Sequence, residues 1–186
     1  MTVAEPAPVV KSLADKWPWF VLAAVVLVAD LWSKAAIYEP LPEYGRKLWL
    51  GSWLGCTKVQ NTGMMWGALQ GFGDLLRWLR LGAALVVVSM MRTTPARSRL
   101  LQLALALVLG GALGNIHDGF RFGFVRDFIL VDFDIAYFDP FPIFNVADSA
   151  ICVGVGLLAI GLFFEDRERS RAEKLAAATA PPSQGG

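Results

Sequence analysis

The chain has 186 residues, 55% of them hydrophobic and 18% charged, with 17 Lys and Arg against 16 Asp and Glu. That apolar content and a mean hydropathy of +0.50 place it outside ordinary soluble domains and among membrane proteins. A net charge of +1 leaves no footprint for nucleic acid, two cysteines (Cys56 and Cys152) make no disulfide framework, and the lone histidine, His117, cannot anchor a zinc-type ligand set. Any chemistry therefore rests on carboxylates.

Four apolar stretches of bilayer-crossing length follow one another. Residues 1–17 form a polar segment expected on the cytoplasmic side, ending in Lys11 and Lys16. The first span, 18–37, opens on Pro18, a residue tolerated at a helix start. It contains Asp30 and Lys34, with three more spans after it and no A-x-A-like cleavage site, so it is not a signal peptide. The segment 39–74 carries short runs of Trp, Val and Thr between glycines and predicts a small strand-rich element, with Trp49, Trp53 and Trp66 as interfacial aromatics. Gly73 and Asp74 offer a cap for the second span, 75–91. A third span, 100–116, ends in the small-residue run GGALG. After the acidic segment 117–145 comes the fourth, 146–164, on which Ala150 and Gly154 repeat the small-xxx-small spacing. Residues 165–186 form a cytoplasmic tail, expected to be disordered after Lys174.

Basic clusters precede span one (Lys11, Lys16), join spans two and three (Arg92, Arg97, Arg99) and follow span four (Arg167, Arg169, Arg171, Lys174). All three fall on one side, which the positive-inside bias makes cytoplasmic, and both termini with it. Arg77 and Arg80 run against the bias, but side chains that long can snorkel outward.

Polar residues in or beside spans need a reason. Asp30 and Lys34 share a helix face as an i,i+4 pair, which reads as mutual neutralisation that steadies span one near its outer end, with bracing of a nearby site as a further role. Asp127 (VRDFI) and Asp148 (FNVADSA) lie 148 − 127 = 21 positions apart, at the outer ends of spans three and four. If those spans pack together, the two acids meet in a partly dehydrated site, where their titrations split and they share a proton. One can then activate water while the other protonates the scissile group. The bland alternatives are a helix-start cap for Asp148 and a solvated loop acid for Asp127.

The blocks DLWSK (30–34), NTGMMWG (61–67), GGALGNIHDGFRFGFVRDFI (110–129) and FNVADSAICVG (144–154) resemble, in order, those of bacterial lipoprotein signal peptidase, or signal peptidase II. The resemblance implies an all-α membrane protein of four transmembrane helices, with a small extracytoplasmic β-rich cradle and a short surface helix between spans three and four. It implies a peptidase domain over 18–164 and a place in the bacterial inner membrane, with the active site at its outer face. Asp127 and Asp148 map onto the family's catalytic dyad. Asn61, Gly63, Asn115, Asp118, Asn145 and Ala147 map onto positions that line or brace the site, as Asp30 and Lys34 do beside them. The implied substrate is a prolipoprotein whose diacylglyceryl cysteine follows the scissile bond, within membrane lipids, without metal or cofactor, and open to a cyclic-peptide inhibitor of the globomycin type. Three departures stand out: Leu31 in place of the usual glutamine, the bulky pair Met64 and Met65, and Gly119 where the family usually has arginine, for which Arg121 is the nearest substitute. Two other readings remain: a catalytically silent scaffold of the same fold, and a proton-coupled carrier, against which the interfacial acids and the lack of an internal repeat weigh.

Overall fold

The computed structural model describes residues 13–43, 45–63, 72–132 and 141–179. A short 3-10 turn, Leu13–Lys16, leads into α1, Trp17–Ser33, with Pro18 among its first residues. The helix then widens into a π-helical turn, Lys34–Tyr38, in which the Glu39 N–H donates to the Lys34 carbonyl at 3.1 Å. Such a turn shifts the phase of the side chains that follow. Here both Lys34 and Tyr38 are buried.

Strands β1, Arg46–Leu50, and β2, Leu54–Asn61, form an antiparallel hairpin whose turn uses Gly51 at φ +54°, in the left-handed region that glycine enters without steric cost. Helix α2 spans Gly73–Thr93 and α3 spans Arg99–Phe122. Asp74 lies within the first turn of α2, bonded to Arg77, instead of capping it as expected. Gly123, at φ +83°, closes α3 with its N–H on the Gly119 carbonyl. Strand β3, Val125–Val131, then pairs antiparallel with β2, giving the sheet order β1-β2-β3. The expected cradle thus draws a third strand from the connector between α3 and α4. No helix lies in that connector among the described residues; 133–140, where the expected surface helix could fall, are outside them. The last helix, α4, spans Val146–Thr179, so the tail expected to be disordered after Lys174 is helical as far as Thr179.

Helix α3 is the centre of the bundle. Leu105, Ala106, Leu109 and Ile116 pack with Ala23 of α1 and with Ala84 and Met91 of α2. Its glycines divide their work between two neighbours. A Cβ on Gly110 would stand 2.6 Å from the Ala23 carbonyl and one on Gly114 would strike the Asp30 carboxylate, whereas one on Gly111 would strike the Ala147 carbonyl of α4. From the other side, a Cβ on Gly154 would meet Val108 and Ala104. Small residues let these helices approach where lipid offers no hydrophobic push.

Three helical segments, Trp17–Tyr38, Arg99–Phe122 and Val146–Leu175, are long and apolar enough to cross a membrane. Val21, Val25, Val28 and Trp32 on α1, and Val153, Val155, Ile160 and Leu162 on α4, are exposed, as lipid-facing surfaces require. Helix α2 has 21 residues, Asp74, Arg77, Arg80 and Arg92 among them.

Candidate active site

The site assembles where β3, the start of α4, the C-terminal half of α3 and the π-helical turn meet. Asp127 sits on β3 opposite Val59, and Asn61 pairs with Val125. Residues two apart on a strand share a face, so Asn61 and Asp127 are diagonal neighbours. The Asn61 Nδ2 donates to Asp127 Oδ2 at 2.9 Å. Asn61 Oδ1 in turn accepts the Gly63 N–H at 2.9 Å, an Asx-type turn that fixes which way the amide points.

The chain returns past β3 at Phe144, whose backbone pairs with Ile129, and enters α4 at Asn145. A reciprocal capping box follows: the Asp148 N–H donates to Asn145 Oδ1 at 2.9 Å and the Asn145 N–H to Asp148 Oδ2 at 3.2 Å. With its oxygen committed to the cap, the Asn145 amide turns its Nδ2 to Asp127 Oδ1 at 2.7 Å. One residue therefore grips both carboxylates. Asn115 of α3 adds its Nδ2 to Asp148 Oδ1 at 2.8 Å. Asp148 is thus a cap, as the bland reading had it, and a partner of Asp127 at once.

Around these acids lies a buried charge network. Lys34 Nζ reaches Asp30 Oδ2 at 2.7 Å, Asp118 Oδ2 at 3.1 Å and Asn115 Oδ1 at 3.3 Å, and all three ionic side chains are 0% exposed. Asp30 spends its other oxygen on the Ala147 N–H at 2.9 Å, a free donor of the α4 start. This anchors the helix bearing Asp148 to α1. Arg126, whose side chain points away from Asp127 by strand alternation, meets Asp118 at 2.8 Å and Glu39 at 2.6 Å and stacks over Phe122 at 4.4 Å. A buried cation between acids holds its geometry because losing either partner would strand a charge.

Asp127 is 1% exposed. Burial first, and then the charge of Asp148, push its carboxyl up to about 7, against the hydrogen bonds of Asn61 and Asn145 and the charge of Lys34. Two acids so coupled can hold a single proton near neutral pH, the state from which one acts as base and the other as acid. Among the described residues no group of His, Cys, Asp and Glu is arranged to hold a metal ion.

The structure thus gathers Asp127, Asp148, Asn61, Gly63, Asn115, Asp118, Asn145, Ala147, Asp30 and Lys34 into one hydrogen-bonded region. Arg121 stands apart: it is exposed, with its guanidinium over Phe122 at 5.4 Å. The space over Gly119 is instead taken from α2, since a Cβ there would stand 3.0 Å from Arg77 Cγ and 3.8 Å from Arg80 Nη1. Arg80 donates to the Gly63 carbonyl at 3.0 Å. Sequence reasoning missed it, and missed Arg126 and Glu39; strand alternation could have put Arg126 opposite Asp127, but nothing local marks Arg80. Met64, Met65 and Trp66 lie outside the described residues.

Comparison with known proteins places the whole chain. The family model for signal peptidase (SPase) II matches residues 22–164. A lipoprotein signal peptidase of Ectopseudomonas mendocina is 36% identical over 83% of this chain and 93% of its own, and one of Pseudomonas fluorescens 40% identical over 78% and 86%. A bacterial membrane enzyme solved by the in meso method at 2.3 Å resolution superposes with a TM-score of 0.74 at 27% identity, covering 81% of this chain and 90% of that one.

Proposed function

Because the chain belongs to the signal peptidase II family, an aspartic-type membrane peptidase family acting on prolipoproteins, we propose that Asp127 and Asp148 are its catalytic dyad. The observation that carries this reading is Asn145, which bonds Asp127 through its side chain and Asp148 through its backbone. Water attacks the scissile carbonyl directly. One carboxylate takes the proton from water; the other, protonated, stabilises the tetrahedral oxygen and then donates to the leaving amine. The proton belongs to the pair, whose member Asp127 is held near 7 by burial and by Asp148.

The substrate enters sideways from the outer leaflet, its diacylglyceryl chains remaining among the lipids. Helix α2 is the fourth span, its Arg77 and Arg80 at the outer end and Arg92 at the inner. The three basic clusters then lie in the cytoplasm with both termini, and the dyad faces outward across the inner membrane. Cyclic peptides of the globomycin type would compete for the same cleft. The glycine at position 119 lends a silent scaffold no support, because two arginines of α2 fill its space.

The test is cleavage of a diacylglyceryl-modified prolipoprotein by purified Asp127→Asn and Asp148→Asn chains that keep their thermal midpoint. Each is expected to lose at least about a thousandfold in kcat, the scale of removing a group used only in the transition state. Near-normal turnover by either would remove the dyad.

A further inference from the structure

The guanidinium of Arg80 is the end of a hydrogen-bonded chain that runs into the dyad. Its Nη2 donates to the Gly63 carbonyl at 3.0 Å, the Gly63 N–H donates to Asn61 Oδ1 at 2.9 Å, and Asn61 Nδ2 donates to Asp127 Oδ2 at 2.9 Å. The middle link decides the chemistry. An asparagine amide can present either its oxygen or its nitrogen, and only the nitrogen can donate to a carboxylate. Holding Gly63 by its carbonyl restrains the residue whose N–H keeps the oxygen of Asn61 occupied and its nitrogen on Asp127.

Arg80 is well placed to hold it. The side chain is half-buried, and its Nη1 lies at the edge of the space above Gly119, where a Cβ would stand 3.8 Å from it and 3.0 Å from the Arg77 stem. The Arg77 guanidinium is bonded to Asp74, so it is Arg80 whose positive charge faces the acids. The charged and titratable groups that face Asp127 are Asp148 from α4, Lys34 and Tyr38 from the π-helical turn, and Arg80 from α2. Lys34 is already shared between Asp30 and Asp118.

We propose that Arg80 is a positioning residue for the peptidase reaction: through Gly63 it fixes the Asn61 amide on Asp127 and supplies from α2 a positive charge that steadies the dyad. This rests on the dyad assignment above. Arg80 does not bind substrate itself in this account, so its loss alters kcat and the titration of Asp127 rather than KM.

The experiment uses the full chain in lipid nanodiscs, with Arg80→Gln, Arg80→Lys and Arg80→Met, each alone and with Asn61→Ala. Arg80→Met keeps an unbranched stem without the guanidinium and serves where glutamine disturbs folding. Steady-state cleavage of a diacylglyceryl-modified prolipoprotein gives kcat and KM separately. Infrared pH-difference spectra follow the Asp127 carboxyl band, assigned by its disappearance in Asp127→Asn. Expected for Arg80→Gln and Arg80→Met are a fall in kcat of at least about tenfold with KM within about twofold, and an Asp127 midpoint about half a unit or more higher, since a facing positive charge is lost. Arg80→Lys recovers part of both. In the Asn61→Ala background the further loss in kcat shrinks to less than about threefold, as expected of residues acting through one another.

A rise in KM at unchanged kcat would make Arg80 a substrate contact and overturn the proposal. So would multiplicative losses in the double variants, or an unmoved Asp127 midpoint. If Asp127→Asn and Asp148→Asn still cleave, the dyad reading fails by itself, and the infrared shift still decides whether Arg80 governs Asp127.

Discussion

Asp127 is under two opposed influences, and their balance sets a working pH. Its carboxyl accepts from two asparagine amides, which favours the charged form, yet burial and the nearby Asp148 outweigh them and hold it near 7. The folded chain therefore binds more protons at Asp127 than the unfolded chain does. The stability this contributes is present in full below the ordinary value of 3.8 and is lost as pH rises through about 7. On the proposed dyad mechanism activity follows the same group: when the second proton of the pair leaves, no acid remains for the departing amine. The kcat/KM profile, measured from about pH 5 to about pH 9, should show an alkaline limb near 7. A flat profile across that range would mean that the pair does not work by sharing a proton. In Asn145 one short side chain serves both the fold and the proposed dyad, since the same amide caps α4 and bonds Asp127.

Helices α1, α3 and α4 are fastened around a buried carboxylate, not merely packed. Asp30 holds Lys34 with one oxygen and the Ala147 N–H with the other, and Gly114 is the hole in α3 that admits it. Gly114→Ala should therefore push α1 away from α3, tilt the α4 start and destabilise the chain by about 1–3 kcal/mol, the usual scale of overpacking. Gly82→Ala is its comparison, because nothing lies within 4 Å of a Cβ there. In an exposed helical position that change is neutral or stabilising by up to about 1 kcal/mol. Thermal midpoints of the two variants in the same detergent separate the cases; equal midpoints would show that α1 and α3 are free to part. At this scale β3 also matters, since it delivers Asp127 on a strand held from one side by β2 and bridged from the other by Phe144.

For the molecule as a whole, the apolar outer faces of α1 and α4 and the polar cluster at one end of α3 define an axis. On the proposal that α2 is the fourth span, the β1–β2 hairpin is expected outside and the connector between α2 and α3 in the cytoplasm. Cysteine placed at Ser52 in the hairpin turn, in a chain with Cys152→Ser, should react with a membrane-impermeant thiol reagent in spheroplasts. Cysteine at Ala96 should react only after the membrane is opened. Labelling of both from outside would remove α2 as a span. The native Cys56 is buried in the sheet and its thiol is raised by that burial, so it does not compete for the reagent.

Much of this was legible in the sequence, for reasons that are local. Apolar runs of bilayer length mark helices whatever their neighbours, basic clusters mark a side, and the four motif blocks carry their family with them. The pairing of Asp30 with Lys34 follows from helical spacing alone. Tertiary structure decided the rest, because it depends on which distant segments meet. That β3 completes the cradle, that Asn145 joins the two acids and that Gly110 and Gly114 serve α1 while Gly111 serves α4 all required the helices to be docked. That Arg77 and Arg80, and not Arg121, lie over Gly119 has the same origin: sequence distance favoured Arg121, but a side chain reaches whatever its helix faces, and α2 faces the space above Gly119.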